Sequence, residues 1–102
     1  MKAPAILHRA GVKFALMTDH GVIPEQYLPV EAGLCVREGL PEMEALRAIT
    51  INAAEVLGLE AQLGSLAPGK DADVALFDGH PLETRTHASL VIVGGNIAYE
   101  RA

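Results

Sequence analysis

The run Val12-Lys13-Phe14-Ala15-Leu16-Met17-Thr18-Asp19-His20-Gly21 constrains this chain more than any other stretch, because it reads as a sheet strand that ends in an acid and an imidazole. Residues 12–17 are apolar at five of six positions and lack the strict alternation of a half-wet strand. That pattern predicts a strand covered on both faces by other elements. α/β enzymes place their chemistry at the carboxyl ends of such strands, so Asp19 becomes a candidate functional residue. Gly21 would let the backbone turn sharply or a ligand approach closely. Thr18 and Asp19 suit a plain turn equally well, and the pattern alone leaves both readings open.

Composition narrows the classes. At 102 residues, half of them apolar and only 4% aromatic, the chain has room for one small unit with an aliphatic core. The net charge of -5, with eight basic residues scattered along the sequence, argues against a nucleic-acid partner. Apolar runs such as residues 90–93 fall far short of the ~20 residues a spanning helix needs, so no membrane role is expected. The residues after Met1 are too short and too polar a run for a secretory signal. A single cysteine, Cys35, allows no internal disulfide and suits a reducing, cytoplasmic setting; it reads as a small buried apolar residue of a helix.

Proline and glycine punctuate the first half. Residues 4–10 form a predicted short helix, with Pro4 in its first turn and Gly11 at its end. A second helix is predicted over residues 29–38, started by Pro29 and stopped by Gly39. A third starts at Pro41, with Glu42 and Glu44 at the positive end of its dipole. Along it Met43, Leu46, Ile49, Ala53, Val56 and Leu57 recur at spacings of three and four, which predicts one buried face up to Gly58. Asn52 followed by Glu55 reads as a capping box, so this stretch is expected to break near Thr50 into two helices. After residue 59 short strands take over. Residues 73–78 read as a strand, Pro68-Gly69 as a turn, and residues 89–93 with 97–100 as a hairpin around Gly94-Gly95-Asn96.

The histidines are isolated. His8, His20, His80 and His87 make no H-x-H pair and no H-E-x-x-H helix, and one cysteine cannot build a thiolate zinc site. His80 beside Pro81 reads as a loop residue, and His87 as a surface one. No phosphate-binding glycine loop and no G-x-S-x-G elbow is present either.

The order of these pieces resembles the C-terminal end of the amidohydrolase superfamily, in particular the imidazolonepropionase-like metal-dependent hydrolases. Three stretches carry the resemblance: Phe14-Ala15-Leu16-Met17-Thr18-Asp19-His20, the helical residues 39–58, and above all Gly64-Ser65-Leu66-Ala67-Pro68-Gly69-Lys70-Asp71-Ala72-Asp73-Val74. It implies an α/β fragment: the last strand and helices of a TIM-like (β/α)8 barrel over residues 1–58, then a small β-sandwich-type domain over residues 59–102. It implies further a hydrolase of C–N bonds in cyclic amides or related small molecules, using a divalent metal, Zn²⁺ being expected. Asp19 would be both catalytic residue and metal ligand, and His20 would touch substrate. The family's H-x-H pair, its bridging lysine and two more histidines have no counterpart here, so the metal site is expected to be incomplete and the chain inactive by itself. The alternative is a stand-alone, non-catalytic assembly or interaction module derived from that fold. In either case the uncovered strand predicts association into a homo-oligomer.

Overall fold

Proline inside the first turn and glycine just beyond the last set the bounds of the first two helices. In the computed structural model, which describes residues 2–19 and 21–102, α1 spans Ala3–Arg9 with Pro4 in its first turn, and α2 spans Leu28–Arg37 with Pro29 likewise placed. A short 3-10 turn, Glu25–Tyr27, leads into α2. At the end of α1 the N–H of Gly11 donates to the His8 carbonyl and that of Val12 to the Leu7 carbonyl, the paired bonds of a Schellman motif. Gly11 holds φ +78° there, a left-handed conformation that a side chain would strain.

The expected break in the third helical stretch is real. α3 spans Glu42–Ala48 and α4 spans Ile51–Val56. The caps differ from the expected box, however. Thr50 occupies the N-cap of α4 without a side-chain cap bond, and its hydroxyl instead donates backwards to the Leu46 carbonyl at 2.6 Å. Asn52 lies inside α4, 9% exposed, and Glu55 pairs with Lys13. Distant backbone and charge partners have outcompeted the local box.

The buried face of α3 and α4 also departs from expectation. Met43, Val56 and Leu57 are 57%, 70% and 72% exposed, whereas Ala45, Ala48, Asn52 and Ala54 are buried. Ile49 of the expected face does pack against the core, but the fully buried positions belong to small residues. The core is correspondingly small-residue in character: Ala5, Ala32, Cys35, Leu40 and Ala45, with Phe14, Leu16, Val36, Ile49 and Leu82 packed against it. Cys35 is fully buried as expected, and burial together with the nearby Glu31 carboxylate pushes its thiol pKa upward.

The second half forms a three-stranded antiparallel sheet in the order β1-β2-β3, from β1 (Val74–Phe77), β2 (Ala88–Val93) and β3 (Asn96–Glu100). A two-residue turn at Gly94-Gly95, with φ of 57° and 83°, joins β2 to β3 as the sequence predicts. Between β1 and β2 the loop returns to the helices. The Leu82 side chain reaches their core, and its backbone carbonyl passes so close to α2 that a Cβ on Gly33 would stand 3.0 Å from it. His80 shapes the loop: its Nδ1 accepts the Leu82 N–H at 3.2 Å while its Nε2 lies 3.4 Å from Glu42 at the start of α3. Asp78 ties the far end, accepting the His87 N–H at 2.8 Å and pairing with Arg101 at 3.3 Å.

Residues 12–17 correct the sequence reading. They form no strand and belong to no sheet, and they are not covered on both faces: Val12 is 48% and Met17 70% exposed. An apolar run states that a segment can be buried; whether neighbouring strands are there to bury it depends on chain elsewhere.

Candidate functional site

Asp19 stands at the carboxyl end of that segment, exposed, directly after Thr18, which is 8% exposed. Phe14 and Leu16 face the helical core and Thr18 is buried, while Lys13 and Met17 face outward. Asp19 holds φ +54°, the one non-glycine residue in the left-handed region among the described residues. Its carbonyl accepts the Val22 N–H at 2.9 Å, closing the turn that follows. Backbone of this kind costs on the order of 1 kcal/mol in a non-glycine residue and is frequent at functional sites. His20 lies outside the described residues.

Two contacts from the helices fix the segment that carries Asp19. The Leu16 N–H donates to the Ala48 carbonyl at 3.0 Å, and the Asn52 side-chain amide donates to the Phe14 carbonyl at 3.1 Å. The Asn52 contact was missed in the sequence, where capping chemistry explained the residue locally. Its one signal was a polar side chain amid Ile51, Ala53 and Ala54 on a stretch otherwise suited to burial.

A cavity of about 450 Å³ lies at the other end of the segment and does not include Asp19. His8, Lys13, Glu44, Arg47, Asn52 and Glu55 are among the residues that line it, and its cations are already paired, Lys13 with Glu55 and Arg47 with Glu44. Toward a metal ion the described residues offer no group of three histidine, cysteine, aspartate or glutamate side chains. A catalytic zinc takes three protein ligands, so Asp19 by itself does not hold one. No helix among the described residues is long and apolar enough to cross a membrane.

Comparison with known proteins decides the family. The sequence matches the amidohydrolase family over residues 1–99. The chain belongs to the amidohydrolase family. Among curated amidohydrolase relatives, the imidazolonepropionase of Geobacillus kaustophilus is 39% identical over 97 residues, covering 86% of this chain and 23% of its own length. The solved amidohydrolase from Thermotoga maritima superposes with a TM-score of 0.93 at 39% identity, over 98% of this chain and 26% of that one. A Xaa-Pro dipeptidase solved with methionine in its active site superposes with a TM-score of 0.82 at 32% identity, over 97% of this chain and 25% of that one. The chain thus spans about a quarter of the length of the relatives it matches. The expected family membership and the α/β character are borne out.

Proposed function

We propose that this chain is the C-terminal part of a metal-dependent hydrolase of C–N bonds in a cyclic amide or related small molecule, and that Asp19 carries its proton transfers. The observation behind this reading is the placement of Asp19: an exposed carboxylate at the end of a segment clamped from behind by Ala48 and Asn52, in a chain whose relatives include imidazolonepropionases. Hydrolysis of a C–N bond requires that the attacking water lose a proton and that the departing nitrogen gain one. A carboxylate held beside both atoms does this as general base and then general acid. A divalent ion, Zn²⁺ by resemblance, would supply Lewis acidity; its other ligands, and the substrate contact expected of His20, depend on chain not present here.

A chimera tests the assignment. This chain would replace the matching segment of the G. kaustophilus imidazolonepropionase, and turnover would be assayed on that enzyme's own substrate. Asp19→Asn in the active chimera is expected to lower kcat by at least ~10²-fold, the lower range for lost acid–base help, with the melting temperature little changed. Near-normal turnover in that variant would return Asp19 to the role of a turn residue.

A further inference from the structure

His80 stands where the loop between β1 and β2 turns back onto the helices, and its two ring nitrogens have different partners. Nδ1 accepts the Leu82 N–H at 3.2 Å, a bond that only a bare ring nitrogen can take, so the proton of the neutral ring sits on Nε2. That proton faces the Glu42 carboxylate of α3, with Nε2 3.4 Å from Oε2. The acceptor for an N–H two residues further on is ordinarily the side-chain oxygen of Asn or Asp, and neither changes its state near neutral pH. An imidazole in that place does. Leu82, the residue so held, is the one that seats the loop: its side chain packs against the helical core, and its carbonyl lies where a Cβ on Gly33 of α2 would stand 3.0 Å away.

A second proton has one place to bind, Nδ1. The ring then presents N–H to N–H and the Leu82 bond is lost, while the Nε2–H gains a charge opposite Glu42. The His80 side chain is 36% exposed, so water reaches the ring to deliver that proton. Exposure of the Glu42 side chain, 63%, screens the ion pair, yet a charge-assisted bond exceeds a neutral one, so the loss and the gain are of similar size. Around the ring, α3 contributes Glu42, α2 meets the loop through Gly33, and the loop's own Glu83 and Arg85 are exposed. We propose that His80 is a proton-driven switch in the attachment of the β1–β2 loop: the neutral ring ties the loop through the Leu82 backbone, and the imidazolium releases that bond and ties the loop to α3 through Glu42. The turn itself persists, because the Glu83 N–H donates to the His80 carbonyl at 3.0 Å, a bond in which the ring takes no part. Acid therefore frees the Leu82 amide and leaves the loop in place.

Nuclear magnetic resonance on the full chain, with isotope-labelled histidine rings and titrated from about pH 8 to about pH 5, tests the switch. At the alkaline end Nε2 of His80 should carry the proton and Nδ1 none. Across the titration the Leu82 amide proton should move upfield with the same midpoint as the His80 ring. Its protection against exchange, corrected for the intrinsic rate, should fall about fivefold, as for the loss of one ordinary hydrogen bond. His80→Asn keeps a side-chain acceptor and removes the titration, so its Leu82 amide should stay unmoved over the same range while His87 titrates as before. Glu42→Gln removes the ion pair that replaces the lost bond, and its melting temperature should fall further in acid than that of the unsubstituted chain. A Leu82 amide that ignores the His80 midpoint, or that shifts equally in His80→Asn, overturns the proposal, as does a proton on Nδ1 at the alkaline end. Should either variant fail to fold, the titration of the unsubstituted chain decides by itself.

Discussion

Gly64 lies so close against Ala54 of α4 that a Cβ placed on it would stand 2.8 Å from the alanine methyl carbon, with the Ile51 α-carbon at 3.1 Å. Its φ of +100° adds a conformation that side chains rarely adopt. The loop that leads toward the sheet is thereby fixed on the helices by the absence of one methyl group. Gly64→Ala is expected to destabilise the fold by about 2 to 4 kcal/mol, from overpacking and left-handed strain together. Urea unfolding followed by circular dichroism measures it, and a loss below about 0.5 kcal/mol would mean that the loop moves aside freely.

Asn52 offers a sharper pair of variants. Asn52→Ala removes the donor to Phe14 and should cost about 1 to 2 kcal/mol, the price of leaving a partly buried carbonyl unpaired. Asn52→Asp keeps the shape but sets an acceptor against an acceptor, so it should cost more than the alanine variant at neutral pH and recover part of the loss in acid. Equal unfolding midpoints for the two variants would show that the amide only fills space.

Acid should loosen the sheet through Asp78. The bond from the His87 N–H holds its carboxyl below the ordinary 3.8, helped by the charges of His87 and Arg101. A carboxylate whose folded pKa is depressed contributes stability that is present above its unfolded pKa and is lost as pH falls through the folded one. Melting temperature should therefore decline below pH 3.8 in part through this group, and Asp78→Asn should flatten that part of the profile. A wild-type profile indistinguishable from that of the variant would remove Asp78 from the account.

By itself the chain should hydrolyse no amide, lactam or dihydroorotate-type substrate, with or without added Zn²⁺, because one carboxylate cannot supply the ligands that a catalytic zinc requires. Product detection by chromatography, with Asp19→Asn as control, checks it. A metal-dependent turnover that copurifies with the chain and vanishes in the variant would contradict it.

The helices and the hairpin were legible in the sequence because their signals are local. Pro4, Pro29, Gly11 and the Gly94-Gly95 pair each act within a turn of their own position, and each did so in the structure. Asn52 and Glu55 were misread for the opposite reason. Their partners, Phe14 and Lys13, lie some forty positions away, and no short-range rule weighs a distant carbonyl against a nearby N–H. The phase of α3 and α4 failed in part: Ile49 packs against the core as expected, while Met43, Val56 and Leu57 stay exposed and Ala45, Ala48 and Ala54 are buried. Asp19 was expected at the end of a buried strand, but residues 12–17 form no strand and Val12 and Met17 stay exposed, because an apolar run states only that a segment can be buried.

The return of Leu82 to the helical core bears on the order of assembly during synthesis. A nascent chain that has emerged only as far as α4 carries a nucleus with one wall open, and that wall is closed by a residue translated much later, from the loop between β1 and β2. Packing around the helical core would then be completed only once that loop has left the ribosome.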